Sequence, residues 1–440
     1  MKSLIFLHKF NRYMRKIFYG FFLLLSFNTF SQSKEKLSEA APETAAVSEE
    51  RLRRIDKLLK EAIENNKMTG ASALVARNGK IIYYKAFGYD DRENKKPLKR
   101  DAIYRIASQT KAITSVAVMI LYEEGKFLLD DPVSNYLHSF KNAQVLDKFN
   151  PKDTSYTTVP AKREVTIRDL LTHTSGIGYA QIGSEESNAI YFKNNVAAGL
   201  GSGRKLLAED MQTLGSLPLM HQPGEKFTYG LNTDVLGYLV ETLSGIPLDS
   251  FFRTRIFEPL GMYDTYFYLP PAKYSRLVNV YIPDSTGTLK KAPAVINVNG
   301  PIHVDYPKLP GSYFSGGGGL SSTLLDYAVF LQMMLNGGEY NGKRILSRNA
   351  VRMMTMNQIG DINLFNDKFG LGFEVRTEKG SAESPVREGS FSWGGAFSTS
   401  YWVDPKEKII GLFFKQLWGG DPSGNTTEKF PVLVYQALTD

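Results

Sequence analysis

Ser108 and Lys111 form a Ser-x-x-Lys pattern, in which a hydroxyl and an amine lie three residues apart. Side chains at that separation share one face of a helix and can meet. A desolvated amine can take the hydroxyl proton and so turn the serine into a nucleophile. This pair is therefore the first candidate for catalysis.

The stretch 106–122 favours that hypothesis, because Lys111 is its only charged residue and its apolar side chains cover most of a helix circumference. A helix that is apolar nearly all round is buried. A lysine in a buried helix is costly unless it is paired, deprotonated or functional. The structural alternative is that Ser108 only caps the helix and Lys111 reaches solvent.

Tyr229 is a candidate general base, since it precedes a predicted helix at 233–244 and a phenol near ammonium groups ionises more readily. The chain has 24 tyrosines, so a structural role is the default for each of them. His173 lies in a Thr-His-Thr-Ser-Gly turn and is interpreted as structural. No Gly-x-Ser-x-Gly motif occurs, which argues against an α/β-hydrolase triad.

The segment Trp393, Gly394, Gly395 and Ala396 stands at the end of a predicted strand. Two adjacent glycines let a backbone approach a ligand closely. A backbone N–H of this segment, together with that of Ser108, would form an oxyanion hole. The alternative is an ordinary hairpin turn.

The composition limits the cofactors and partners that we expect. The hydrophobic fraction is 42% and the charged fraction 22%, as in globular proteins. There is no cysteine, and the five histidines form no close ligand pair, so we expect no metal site and no cofactor. Five of the eight net positive charges lie in the first 31 residues, and no later basic cluster suggests nucleic acid. The expected partner is a small-molecule ester or amide substrate, and the oligomeric state is not predicted.

Residues 1–31 are typical of a secretory signal peptide, with basic residues, a short apolar run and then small residues. A start at Met14 would give a more compact signal, and a membrane anchor is the alternative. No cysteine is available for lipid attachment. We therefore predict a periplasmic or secreted protein with no stable membrane span after cleavage. Residues 32–48 are polar and alanine-rich, which predicts a flexible linker.

Residues 49–440 are predicted to form one α+β domain. Strands near both ends of the chain are expected to share one antiparallel sheet flanked by helices, from about 49–107 and 316–440. A mostly helical second lobe is expected at about 108–315, with a cleft between the lobes. The pocket walls are expected to come from 139–163, 178–220 and 263–315.

Taken together, several motifs resemble the serine β-lactamase-like superfamily, which holds class C β-lactamases, D,D-peptidases and family VIII carboxylesterases. The resemblance covers about residues 49–440. The matching segments are Ser108 to Lys111, Val165 to Ile177, Pro223-Gly224 with Tyr229, Asp234 to Gly237, and Trp393 to Ala396. It implies a β-lactamase/transpeptidase-like fold.

The resemblance also implies residue roles. Ser108 would be the acylated nucleophile, Lys111 and Tyr229 would supply the general base, and the N–H groups of Ser108 and Ala396 would form the oxyanion hole. Which of Lys111 and Tyr229 is the base stays open at this point. Trp393, Gly394 and Gly395 would contribute to substrate binding.

Two departures from class C β-lactamases bear on the substrate. Those enzymes have Tyr-x-Asn, whereas Asn232 here comes one place late after Tyr229. They also carry a cation on the strand where Trp393 stands, and its loss weakens recognition of a substrate carboxylate. The Trp-Gly-Gly form is similar to family VIII esterases, so a carboxylesterase acting on small esters is the leading prediction. The alternatives are a β-lactamase or peptidoglycan D,D-peptidase, an acyltransferase, and a non-catalytic cell-envelope binding module.

Overall fold

A computed structural model gives the structure of the protein for residues 36–196, 199–200, 205–298 and 300–440. The predicted signal peptide at 1–31 and the first residues of the predicted linker lie outside this range. Within it, a central sheet has helices on both faces and a mostly helical part beside it. This confirms the predicted α+β class.

Five strands form the middle of a nine-stranded sheet, namely β1 (Gly70–Arg77), β2 (Lys80–Asp91), β3 (Phe391–Gly395), β4 (Thr399–Asp404) and β5 (Ile409–Phe414). Their order in the sheet is β2-β1-β5-β4-β3. Neighbours among these five are antiparallel, and β1 pairs with β5, so strands from both ends of the chain share the sheet as predicted. Short strands at Ser38–Glu39, Lys96–Pro97, Lys368–Phe369 and Glu374–Val375 complete it.

The described α-helices of five or more residues are α1 (Glu49–Glu64), α2 (Thr110–Glu123), α3 (Ile167–Leu171), α4 (Glu185–Lys193), α5 (Leu207–Gly215), α6 (Asn232–Ser244), α7 (Leu248–Phe252), α8 (Leu324–Leu335), α9 (Arg348–Met354) and α10 (Thr426–Tyr435). Small two-stranded ladders pair Tyr104–Arg105 with Ser321–Ser322, Gln144–Phe149 with Tyr156–Pro160, Tyr281–Pro283 with Leu289–Lys291, Val295–Asn297 with Pro301–His303, and Glu339–Tyr340 with Lys343–Arg344.

The two faces of the sheet bury different sets of side chains. Ala73 and Val75 of β1 pack with α1 and α10, whereas Leu74 and Ala76 pack into the larger core that contains α2 and α8. Successive residues of a strand point to opposite faces, so a fully apolar strand serves a sheet that is covered on both sides. The run of small and branched residues in β1 thus places this strand in the interior.

Helix α2 lies at the centre of the molecule. Every residue from Thr110 to Leu121 is buried, as the apolar sequence predicts. Residue Lys111 is among them and is only 2% exposed, so its amine does not reach solvent. The helix starts later than predicted, because Ala107–Gln109 form a separate 3-10 turn before it. Ser108 therefore stands in a turn directly before the helix.

The predicted flexible linker at 32–48 is wrong for the residues that the structure describes. Ser38–Glu39 pair in parallel with the start of β2, and the side chains of Leu37 and Val47 are buried. The backbone N–H of Leu37 donates to the Tyr340 hydroxyl at 2.9 Å. The segment has few large apolar residues, but Leu37 and Val47 both pack against the rest of the protein. Composition alone does not reveal this packing.

Replacing Leu37 by alanine should lower the free energy of unfolding by about 2–3 kcal/mol, because it empties a buried site at the sheet edge. Chemical denaturation of the mature chain measures this difference. The neighbouring exposed residue supplies the control, since Lys36→Ala should change stability by less than about 0.5 kcal/mol. Equal stability of both variants would mean that this segment contributes nothing to the fold.

Candidate active site

The turn that carries Ser108 is held in an unusual backbone conformation. Ala107 has a φ of +41°, in the left-handed region that residues with a side chain rarely adopt. Such a conformation costs about 1–3 kcal/mol and persists only where neighbours enforce it. Here the N–H of Ile106 donates to the carbonyl of Leu320, and the carbonyl of Gln109 accepts from the Tyr327 hydroxyl. The turn leaves Ser108 partly exposed at the edge of a cleft.

The amine of Lys111 lies behind Ser108 and makes three polar contacts. Nζ donates to the carbonyl oxygen of Gly317 at 2.6 Å and to the hydroxyl of Tyr179 at 2.9 Å. The Oγ of Ser108 is 3.4 Å from the same nitrogen. Catalytic hydrogen bonds are commonly this long before substrate binds. The geometry therefore allows Lys111 to exchange a proton with Ser108.

Tyr229 lies on the other side of the amine, with its ring centroid 4.6 Å from Nζ of Lys111. Its ring contacts those of His173, Tyr179 and Trp393, with centroids 4.9, 5.5 and 5.5 Å away. The hydroxyl is buried close to that of Tyr179, yet it makes no hydrogen bond of acceptable geometry within the described residues.

Tyr179 is a site residue that the sequence did not single out. Burial raises the pKa of Tyr179 well above its usual value of 10, and the neighbouring Tyr229 and Asp234 act in the same direction. Its hydroxyl therefore stays protonated while it accepts a hydrogen bond from Lys111. The sequence feature that marks Tyr179 is its position directly after the turn at 173–178. This position does not distinguish it among the 24 tyrosines of the chain.

Strand β3 brings Gly394, Gly395 and Ala396 next to the nucleophile turn. A Cβ built on Gly395 would lie 2.3 Å from the carbonyl oxygen of Ile106, so only glycine permits this approach. At Gly394 the nearest atom would be 3.3 Å away. Ala396 lines the cleft with Ser108, whereas Trp393 reaches the site only through its contact with Tyr229. Gly395 therefore allows the close packing of β3 against the turn that carries Ser108.

His173 and Asn232 hold the segment that carries Tyr229 in place. The side-chain amide of Asn232 donates to Nδ1 of His173 at 3.0 Å and also contacts Ser175. Burial, reinforced by the charge of Lys111, lowers the pKa of His173 well below its usual 6.5. The imidazole is therefore neutral and its Nδ1 is occupied. Asn232, which stands one place later than in the Tyr-x-Asn motif, therefore helps to hold the loop that carries Tyr229 in place.

The cleft in front of Ser108 encloses a cavity of about 90 Å³. Two of the three predicted wall segments contribute to it, namely 178–220 and 263–315. The third, 139–163, contributes none of the described lining residues, and its hairpin pairs with Leu219. The lining residues described by the structure are Ala107, Ser108, Tyr179, Gln181, Ile182, Gly199, Leu200, Tyr229, Val298, Ser315, Gly317, Gly318, Ala396 and Trp418.

Comparison with known proteins identifies the family. A family model described as Beta-lactamase matches residues 55–435. The chain belongs to the β-lactamase family. Members of this family are serine hydrolases, and the relatives below support the same class for this chain.

Two curated relatives and one solved structure show the range of activities. Esterase EstB of Burkholderia gladioli is 30% identical over 379 residues, covering 82% of this chain and 88% of EstB. A putative D-alanyl-D-alanine carboxypeptidase of Escherichia coli K12 is 27% identical over 412 residues, covering 89% and 88%. The structure of EstCE1, a hydrolase with promiscuous acyltransferase activity, is 26% identical, covers 88% and 99%, and has a TM-score of 0.74.

Gly395→Ala should reduce kcat/KM for p-nitrophenyl acetate by about tenfold or more, because the added methyl group pushes β3 away from the nucleophile turn. Gly394→Ala adds the same methyl group one residue earlier, where more space exists, and should lose much less activity. Steady-state kinetics of both variants, with circular dichroism to check folding, measures the difference. Equal losses would contradict the packing role of Gly395.

Proposed function

We propose that the protein is a serine carboxylesterase that hydrolyses neutral esters through an acyl-enzyme on Ser108. The observation that carries this proposal is the charge of the cleft. The lining residues that the structure describes include no lysine or arginine, while Lys111 behind them is engaged with Ser108, Tyr179 and Gly317. A substrate carboxylate would have no cation to pair with there, so an uncharged ester fits better than a penicillin or a peptide terminus.

In the first step, Lys111 as a free amine takes the proton of Ser108, and Oγ attacks the ester carbonyl carbon. The carbonyl electrons move to the oxygen, which the N–H groups of Ser108 and Ala396 stabilise. The intermediate then expels the alcohol oxygen, which receives the proton from the Lys111 ammonium. The free hydroxyl of Tyr229 lies beside this path and is suited to pass the proton on.

The second step repeats this chemistry with water in place of serine. The free amine takes a proton from water, the hydroxide adds to the acyl carbonyl, and Ser108 leaves with the proton returned to Oγ. The products are the carboxylic acid and the free enzyme. An alcohol in place of water would give a new ester, so acyl transfer differs only in the acceptor.

The outer part of the cleft supports an apolar substrate. Ile182 and Phe192 are large side chains that are 49% and 62% exposed, and leaving such groups in water is unfavourable without a ligand. A second depression of about 680 Å³ is lined by the apolar residues Phe192, Ala189 and Pro301 and by the polar residues Glu185, Asn188 and Asn297. It adjoins the catalytic cleft at Ile182 and Gly183 and at Asn297 and Val298. We infer that the apolar part of the ester extends over this surface.

We also propose secretion, on the strength of the signal-like residues 1–31 alone. Among the described residues, no helix combines the length and the apolar character that crossing a bilayer requires.

Ser108→Ala should reduce hydrolysis of p-nitrophenyl butyrate by at least about 10³-fold, because no acyl-enzyme can form. Mass spectrometry of the wild type during turnover should show one butyryl group on the peptide that contains Ser108. The exposed loop residue Ser285 supplies the control, and Ser285→Ala should retain full activity. Activity retained by Ser108→Ala would refute the mechanism, and a wild type that is never acylated would favour a non-catalytic binding module.

A matched pair of esters tests the substrate charge. p-Nitrophenyl butyrate and p-nitrophenyl hemisuccinate have acyl groups of similar length, but only the second carries a carboxylate. We expect kcat/KM to be at least about tenfold higher for the neutral ester, since the carboxylate would be desolvated without a partner. A preference for the charged ester, or efficient turnover of a D-alanyl-D-alanine peptide, would favour the peptidase alternative. Ester formation with added butanol would reveal the acyltransferase activity.

A further inference from the structure

Asp234 is a fully buried carboxylate in the first turn of α6, close to the catalytic lysine. Its Oδ1 accepts a hydrogen bond from the Ser315 hydroxyl at 2.7 Å. A Cβ built on Gly317 would lie 2.3 Å from Oδ2 of Asp234 and 3.5 Å from Nζ of Lys111, so the two charged atoms are less than about 6 Å apart. The mechanism described above makes no use of this carboxylate.

Gly317 is the residue that separates the two charges. Its carbonyl oxygen accepts from Nζ of Lys111 at 2.6 Å, while its amide faces the carboxylate of Asp234. Only glycine leaves room for the carboxylate at this distance. Gly317 thus lies between the two groups, with its carbonyl oxygen bonded to the amine and its Cα packed against the carboxylate.

Among the residues that the structure describes, Lys111 is the cation whose charge acts on Asp234. Burial raises the pKa of Asp234 to about 6, while Ser315 and the charge of Lys111 oppose that rise. The other titratable groups facing Lys111 are Tyr179, Tyr229 and His173. Those facing Asp234 are Tyr179, Tyr313 and Asp210, and Asp210 is itself paired with Lys205.

We propose that Asp234 is a positioning residue that stabilises the ammonium form of Lys111 and, through Gly317, directs its Nζ towards Ser108. The proposal rests on the role of Lys111 in the proposed function. An ionised carboxylate within about 6 Å favours the protonated amine at each stage where Lys111 holds the serine proton. The carboxylate itself does not touch the substrate and exchanges no proton with it.

Asp234→Asn tests this proposal, because the amide keeps the shape and an acceptor oxygen but removes the charge. The readout is the rate at which an alkyl fluorophosphonate modifies Ser108, followed by mass spectrometry across the pH range. In that reaction Oγ forms a bond to phosphorus, fluoride leaves, and Lys111 takes the serine proton. The label reports the nucleophile without depending on which natural substrate the enzyme uses.

The rate of Ser108 labelling should fall on the acidic side of this pH profile, which we call its acidic limb. We expect this acidic limb to shift to lower pH by about one unit in Asp234→Asn. The reason is that the amine loses its proton more readily without the negative charge. The maximal rate should fall, since the direction of Nζ is less well fixed. Asp326 supplies a matched control, because burial also raises its pKa to about 6 while it binds Thr265 and the Asp264 amide away from the site. Asp326→Asn should leave the acidic limb in place.

Ser315→Ala keeps the proposal testable if Asp234→Asn does not fold. It removes one donor to the carboxylate, so Asp234 ionises less readily and the acidic limb should shift in the same direction by a smaller amount. An unchanged acidic limb in the folded variants would overturn the proposal and leave Asp234 a structural residue. A wild type whose Ser108 is labelled but which hydrolyses no ester would refute the carboxylesterase and leave this test intact. A wild type that is never labelled would overturn both.

Discussion

The side-chain amine of Lys111 is almost completely removed from water, and several distant parts of the chain meet to make that possible. A charge in the interior is tolerated only when hydrogen bonds and an opposite charge replace its hydration. The carbonyl of Gly317, the hydroxyl of Tyr179 and the face of the Tyr229 ring surround it, with the Asp234 carboxylate just beyond. These groups come from three separate segments of the chain, so the environment of one amine holds these segments together.

Aromatic rings complete this environment. Tyr229 lies between His173, Tyr179 and Trp393, and Phe369 packs on both His173 and Trp393. Such a layer holds the phenol in one position and keeps water away from the amine, which strengthens electrostatic interactions inside the site. The Trp393 ring therefore has two consequences. It packs against Tyr229, and it brings no positive charge to this end of β3.

Much of the fold and the centre of the site followed from local sequence patterns. The turn at Asn78-Gly79, with φ of +53° and +77°, joins β1 and β2 as predicted, because few residues other than asparagine and glycine adopt that conformation. The apolar surroundings of Lys111 predicted its burial. By contrast, the ordered segment at 36–48, the hairpin at 144–160 and the wall residue Tyr179 were not predicted. Each of these depends on a surface contributed by residues far away in the chain.

The sequence by itself determined the Ser-x-x-Lys pair, the order of the motifs and the α+β class, because helix periodicity and turn chemistry act over a few residues. Only the tertiary structure decided which tyrosines contact the amine, why Gly395 and Gly317 must be glycine, and that Asp234 lies within about 6 Å of Lys111. These relations join residues that are tens to hundreds of positions apart. They exist only after packing brings the segments together, and no local pattern encodes the distance between them.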